Sequence, residues 1–261
     1  MRRPAPRILE VIRSVLFTPH MQRVVLGATD LSDFPEHHES ANFKLLIPRP
    51  GQDHIALPPF ADLPVEARPI VRTYTLREFN QAKGEIVVDF MLHRDHGPAS
   101  NWALTAKPGD RIGFAGPGAP KLVDFEADWF LFAGDMSALP AIGANIERLP
   151  VTAKGYAVLE ILDHGDRQEL PFPPGMEVLW RVNPDPNTSN SLLADTVRAQ
   201  PWLAGSPAVW VAGETGAVRD IRGYIKRERE VERGRLYTSG YWQIGMTEDR
   251  HQIEKRKEKQ D

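Results

Sequence analysis

The apolar residues of this chain change rhythm once, near residue 125, and that change limits the fold more than any other feature. Before it, short runs alternate apolar with polar residues: RVVLGA at 23–28, NFKLLIP at 42–48, RTYTLREF at 72–79, GEIVVDFMLH at 84–93 and DRIGFAGP at 110–117. Gly and Pro separate them, and an earlier run around Ile8–Leu16 reads the same way. Alternation with period two and turn residues between predicts short strands, and their spacing suggests a small barrel. The Pro-rich stretch LPPFADLPVEARP at 57–69 cannot be a regular helix or a central strand, because proline lacks the N–H that both need. After residue 125 come DWFLFAG (128–134), SALPAIGANIERL (137–149), GYAVLEIL (155–162), EVLWRV (177–182), SLLADTVRA (191–199), AVWVAG (208–213), AVRDIRGYIKRER (217–229) and RLYTSGYW (235–242). Apolar strand, turn, amphipathic helix and strand again predict a parallel sheet with helices on its faces. The expected domains are 1–124 and 125–245, with a charged tail or helix over 246–261.

Composition removes several kinds of chemistry. The chain has 261 residues and no cysteine, which excludes a disulfide framework, a thiolate zinc site, a cysteine-held iron–sulfur cluster and a cysteine nucleophile. Any redox chemistry must rest on an organic cofactor. With 32 Lys+Arg against 35 Asp+Glu the net charge is −3, so no global basic field favours nucleic acid or a membrane surface. No run of about 18 apolar residues occurs, so no membrane span is expected. Glu10 and Arg13 interrupt the N-terminal apolar run, which argues against a signal peptide and for a cytoplasmic protein.

Two segments carry candidate chemistry. On a strand through Arg72-Thr73-Tyr74-Thr75, Arg72 and Tyr74 share one face and Thr75 lies on the other. A cation, a ring and a hydroxyl there suit a flavin: Arg for phosphate or the electron-rich rim, Tyr beside the ring, Thr for a ring nitrogen or carbonyl. Those four residues alone also fit an ordinary edge strand. The second segment is VDFMLHRDHGPASNWALTAKPGD at 88–110. Gly97-Pro98 precedes Ala99-Ser100-Asn101-Trp102 and a helical stretch, and N–H groups at such a helix start make a pyrophosphate cradle that His93 could join. Asp89 and His96 of this segment complete the candidate cofactor set. Ser100 also fits a plain N-cap, and His93 and His96 fit surface histidines. Their HxxH spacing has no acidic cluster or cysteine beside it, so no metal site is expected.

RTYTLR, HRDHGPASNWA, KPGDRIGFAGPG, FAGDMSALPAI, VAGETGAVRDIRGYI and SGYWQIG, in this order, resemble the siderophore-interacting protein family across about residues 8–245. These are FAD-containing ferric-siderophore reductases of the ferredoxin-reductase-like superfamily. The resemblance implies an antiparallel flavin-binding barrel of six-stranded type followed by an NAD(P)-binding-like α/β domain. It puts Arg72, Tyr74 and Thr75 on the flavin motif, and His93, Gly97, Ala99 and Ser100 on the pyrophosphate segment. Trp102 would pack under that helix, and Tyr241 and Trp242 fall in the part near the flavin and the active cleft. Asp135 begins the family's acidic dipeptide, although Met136 stands where a second acid is usual, which weakens any ribose or adenine contact there. Gly213, Glu214 and Thr215 resemble the nicotinamide-nucleotide loop. Family members differ in electron donor, so NAD(P)H or a reduced ferredoxin is expected.

The chemistry is consistent with the parts. NAD(P)H delivers electrons in pairs, Fe(III) accepts one, and a flavin can divide the pair. Siderophores offer hard oxygen donors that hold Fe(III) better than Fe(II), so reduction releases the metal. Basic residues would gather the anionic chelate; Arg250, Lys255 and Lys259 are the candidates, with Lys255 and Lys259 on one helical face. The same residues also fit a solvated terminus. No general base is required. The partners expected are a ferric siderophore and, for the second donor class, a ferredoxin, with the protein a monomer. The alternatives are a general NAD(P)H–flavin or ferredoxin reductase and a non-catalytic flavin- or siderophore-binding module.

Overall fold

The computed structural model describes residues 4–52, 54–93 and 97–257, with the side chains of 255–257 left out. It divides into two compact units, residues 1–121 and 122–261.

The first unit is built from β1 (Arg7–Thr18), β2 (Met21–Gly27), β3 (Asn42–Ile47), β4 (Ile70–Thr75), β5 (Glu78–Asn80), β6 (Glu85–Met91), α1 (Pro98–Thr105) and β7 (Arg111–Ala115). These seven strands form one antiparallel half-barrel sheet in the order β4-β3-β7-β1-β2-β6-β5. The six-stranded expectation is therefore corrected by one strand. The segment 72–79 is not continuous: it breaks after Thr75, β4 pairing with β3 and the short β5 with β6. Leu76, Arg77 and Thr75 are all buried, so the break is inside the unit, where no turn residue marks it. Alternation places Leu9, Val11, Val24, Leu26, Phe43, Leu45, Val88, Phe90, Ile112 and Phe114 on one face, and they meet in one core. Ala99 and Ala103 of α1 close that core, small enough to let the helix backbone approach. The Pro-rich stretch 57–69 holds one 3₁₀ turn at Val65–Ala67 and is otherwise loop, as expected.

The second unit carries β8 (Trp129–Gly134), α2 (Leu139–Ile146), β9 (Lys154–Ile161), β10 (Gly175–Val182), α3 (Leu192–Ala199), β11 (Pro207–Glu214), α4 (Thr215–Glu228), β12 (Leu236–Trp242) and α5 (Glu248–Lys257). All five strands are parallel, in the order β10-β9-β8-β11-β12. The chain thus starts in the middle, winds outward over β9 and β10, then returns to β8's other side. Its order reverses between β8 and β11, and in doubly wound sheets the carboxyl ends of the two strands at such a point flank the ligand crevice. One face buries Leu131, Val158, Val209 and Val211 against Leu193 and Val197 of α3 and Val218, Ile221 and Ile225 of α4. Over its described residues the charged last segment forms the helix α5. Its His251 is buried and its Nε2 lies 3.4 Å from the Gly240 carbonyl oxygen.

Gly155, the second residue of β9, has a φ of +135°, and a Cβ built there would overlap the Phe130 carbonyl oxygen of β8. Gly155→Ala is expected to destabilise the second unit by about 3 kcal/mol, combining the strained φ with a clash against backbone that cannot move aside. Urea unfolding checks this; a loss under about 1 kcal/mol contradicts the placement of β8 against β9.

Candidate functional site

Strand pairing places the Arg72-Thr73-Tyr74-Thr75 motif. Arg72 and Tyr74 stand opposite Leu45 and Phe43, two core residues, and so share the inward face of β4. Thr73 and Thr75 point the other way; the Thr73 hydroxyl accepts from Lys44 Nζ at 2.5 Å. The Tyr74 ring lies 4.5 Å from Phe90, and Phe90 lies 5.7 Å from Trp102, centroid to centroid. An aromatic wall therefore runs from β4 through β6 to α1. Tyr74 and Trp102 were candidates from the sequence; Phe90, which joins them, was not, because a fully buried Phe on an alternating strand reads as plain core. Arg72 is half-buried and donates to the Val71 carbonyl at 2.8 Å.

Helix α1 supplies the second half. Its N-cap is Gly97, with no side-chain cap and no acidic residue in the first turn. Its first intrahelical bond runs from Asn101 N–H to Gly97 C=O, so the Ala99 and Ser100 N–H groups precede the helical ladder and lie at the positive end of the dipole. Ser100 is buried, and its hydroxyl donates to the Met91 carbonyl at 3.0 Å, which ties α1 to the end of β6 rather than capping the helix. A Cβ at Gly97 would come within 3.3 Å of the exposed His93 ring, so the glycine lets that imidazole sit beside the helix start. Two main-chain donors, a nearby imidazole and, among the described residues, no acid in the first turn fit the pyrophosphate of a dinucleotide flavin. His96 lies outside the described residues. Asp89 faces elsewhere: both its oxygens accept from Arg23, at 2.6 and 2.7 Å, and its side chain is 1% exposed. That pair clamps β2 to β6, and Arg23 also lies over the Phe17 ring at 3.9 Å.

In the second unit the candidates converge on Asp135, at the end of β8. Its Oδ1 accepts from the Ser137 N–H at 2.9 Å and the Ser137 hydroxyl at 2.5 Å. Its Oδ2 accepts from the Glu214 N–H and from Trp242 Nε1, both at 2.8 Å. Trp242, 107 residues away in sequence, is thus fixed by a residue that no spacing argument links to it. Thr215 donates its hydroxyl to the Trp242 carbonyl at 2.8 Å. Gly213, with a φ of +137°, leaves room for the carboxylate, since a Cβ there would lie 2.5 Å from Asp135 Oδ2. So Asp135, Gly213, Glu214, Thr215 and Trp242 form one cluster at the switch point. Tyr241 is near it on β12, its ring 6.5 Å and edge-on from Trp210. Burial raises the Asp135 carboxyl above the usual carboxylate range, although its hydrogen bonds pull the other way. Glu160, at the end of β9, is also raised, first by burial and then by the neighbouring Asp135 and Glu214 charges, with the Asn183 amide at 2.8 Å opposing. Arg250 is exposed on α5; the Lys255 side chain and Lys259 lie outside the described residues. Among the described residues no group of three or more His, Asp or Glu is placed to hold a metal.

An antiparallel flavin-type half-barrel followed by a doubly wound parallel sheet defines the ferredoxin-reductase-like class. Within that class the chain belongs to the siderophore-interacting protein family. A family profile described as "Siderophore-interacting FAD-binding domain" matches residues 10–121, and one described as "Siderophore-interacting protein" matches residues 127–245. The ferric vibriobactin reductase ViuB of Vibrio cholerae is 33% identical over 98% of this chain and 96% of its own. The NADPH-dependent ferric-chelate reductase of Escherichia coli is 26% identical over 90% of this chain and 92% of its own. The crystal structure of the siderophore-interacting protein SipS from Aeromonas hydrophila superposes with a TM-score of 0.84 at 33% identity, covering 98% of this chain and 99% of that one.

Two outcomes follow from these contacts. Asp89→Asn should cost about 3–5 kcal/mol of stability, because it leaves the Arg23 guanidinium partly buried against a neutral amide; a melt within 1 °C of wild type would show that the pair is not structural. Glu160 has a raised folded pKa, so its stabilising contribution is complete below the unfolded value and is lost as pH rises through the folded one. Glu160→Gln keeps an acceptor for Asn183. It should therefore raise the melting temperature by a few degrees at pH 8 and hardly change it at pH 4. An equal shift at both pH values contradicts the assignment.

Proposed function

We propose that this protein is an FAD-dependent ferric-siderophore reductase, active as a cytoplasmic monomer, that reduces a bound ferric chelate and lets Fe(II) go. One observation carries the reading. In a siderophore-interacting family member, a helix start without an acidic residue or side-chain cap stands at one end of an aromatic wall, with the Arg72–Tyr74 strand at the other. The names of the Vibrio and Escherichia relatives support it. No helix among the described residues is long and apolar enough to cross a membrane.

The geometry suits these roles. Ala99 and Ser100 N–H would donate to the pyrophosphate, and His93 would add a further donor beside it. Arg72 would supply the cation for phosphate or for the electron-rich rim of the ring system. Tyr74, packed on Phe90, would offer a ring beside the flavin, and Trp102 packs against the core beside α1. Bound FAD would supply the conversion of paired reducing equivalents into single ones. NAD(P)H or a reduced ferredoxin would feed it. Arg250, Lys255 and Lys259 would raise the local concentration of an anionic chelate. No residue has to ligate iron, since the siderophore brings and holds it. His96 would join the flavin-binding set, with Tyr241 and Trp242 at the terminal motif.

The experiment is anaerobic. FAD-loaded protein reduced with dithionite should be reoxidised by a ferric siderophore, with Fe(II) captured by a ferrous chelator. Protein that holds no FAD, or that the chelate does not reoxidise, overturns the reading. Arg72→Ala should weaken FAD binding by about 1.5–3 kcal/mol, the range for a charge-assisted hydrogen bond; unchanged affinity in a fluorescence titration would remove Arg72 from the site.

A further inference from the structure

The second half of β1 has a neighbouring strand on one side only. β7 pairs with Arg7–Glu10, and the last bonds on that side run from Val11 N–H to the Asp110 carbonyl at 2.8 Å and from Gly109 N–H to the Val11 carbonyl at 3.0 Å. Ile12 then bulges out of register, and β1 stays paired with β2 as far as Thr18. Among the described residues no strand pairs with the other side of β1 after Val11. The register also fixes which backbone groups face that side. Val11 points its N–H and C=O towards β7, so Glu10 points at Gly27 of β2. With one extra residue at Ile12, Arg13 and Val15 point at β2 as well, opposite Val25 and Arg23. Ser14 and Leu16 therefore turn their N–H and C=O groups to the open side. The side chains there are apolar too. Among the described residues eight large apolar side chains are exposed, and Ile12, Val15, Leu16 and Phe17, at 38–59% exposure, are four of them. An unpaired strand edge with apolar side chains is a template for another strand.

We propose that this edge pairs with a second copy of the chain, antiparallel, about a two-fold axis at Val15. That register sets Ser14 opposite Leu16 of the second copy, so every outward N–H of these two residues meets a C=O. An axis at Ser14 would set Leu16 against the bulge at Ile12, and one at Leu16 would set Ser14 against Thr18 at the hairpin turn. Val15 meets Val15 of the second copy as a close pair without main-chain bonds. Arg13 stands opposite Phe17 of the second copy, so no charge directly faces its like, and Arg13 is already matched by Glu85 of its own chain at 2.8 and 3.0 Å. A second copy supplies apolar residues at the required spacing by symmetry alone. The contact is short, with main-chain bonds from two residues of each copy. It falls below the roughly 800 Å² per partner that a stable complex buries, so the association is weak. It rests on the first unit and not on the reductase reading, and a single chain keeps every group which that reading uses.

The test is sedimentation equilibrium of the full chain from about 1 μM to about 1 mM. Wild type should have the mass of one chain at the lowest concentration and approach the mass of two at the highest. Leu16→Lys puts a charge on the edge, and Leu16→Pro removes an outward N–H while sparing the bonds to β2. Each variant should keep the mass of one chain throughout, with a melting temperature within a few degrees of wild type. Leu16→Lys leaves every main-chain group in place, so it decides the matter if the proline variant does not fold. A single-chain mass for wild type at about 1 mM overturns the inference. So does a folded Leu16→Lys protein that pairs as wild type does. FAD content and dithionite-driven chelate reduction, measured at the lowest concentration, report separately on the reductase reading. A chain without FAD sinks that reading, while the sedimentation result still decides the edge.

Discussion

Four hydrogen bonds converge on the Asp135 carboxylate, and the functional end of the second unit depends on them. Three donors come from the turns that lead into α2 and α4, and the fourth from the last residue of β12. One buried acid thereby fixes three strand ends that the chain visits in separate passes. Burying a carboxyl is costly unless its lone pairs are satisfied, and here every bond is local to the switch point. Gly213 and Gly240 are the backbone consequence. A Cβ at the first would collide with Asp135, and one at the second with the Thr215 hydroxyl that holds Trp242.

The two units treat the same physical resource in opposite ways. Helix starts attract anions through exposed N–H groups and the dipole. In the first unit the resource is left open, since α1 begins on Gly97-Pro98 and has no acid in its first turn. In the second, Asp135 accepts from the Ser137 N–H ahead of α2 and Glu214 from the Ala217 N–H of α4, so the anion comes from within the chain. A polypeptide with no cysteine has to bring in its redox group, and the open helix start with its aromatic wall is the part of the first unit suited to receive one.

Much of the fold was legible because it obeys a single period at a time. The strands of both units and helices α2, α3 and α4 follow from alternation or from helical apolar spacing, and the zero cysteine count limited the chemistry. The break between β4 and β5 was not legible, because Leu76 and Arg77 are buried and lack turn chemistry. The seventh strand followed from that break. In the candidate site, Arg72, Tyr74 and the α1 start were proposed from residue types at strand and helix ends. The Asp135–Trp242 bond could not, since it joins residues 107 apart through tertiary packing alone. Asp89 stood in the candidate cofactor set, yet its cross-strand partner Arg23 takes both oxygens, and pairing across strands is invisible to local spacing.

The account stands on the α1 start being the place where the flavin phosphates bind. Gly97→Asp tests it most directly. Aspartate is a better helix cap than glycine, so the helix should form at least as well, while its charge occupies the anion position. Absorbance titration of FAD into apo protein should give one FAD per wild-type chain and no saturable binding to the variant at equal thermal stability. A Gly97→Asp protein that takes up FAD as tightly as wild type would contradict it.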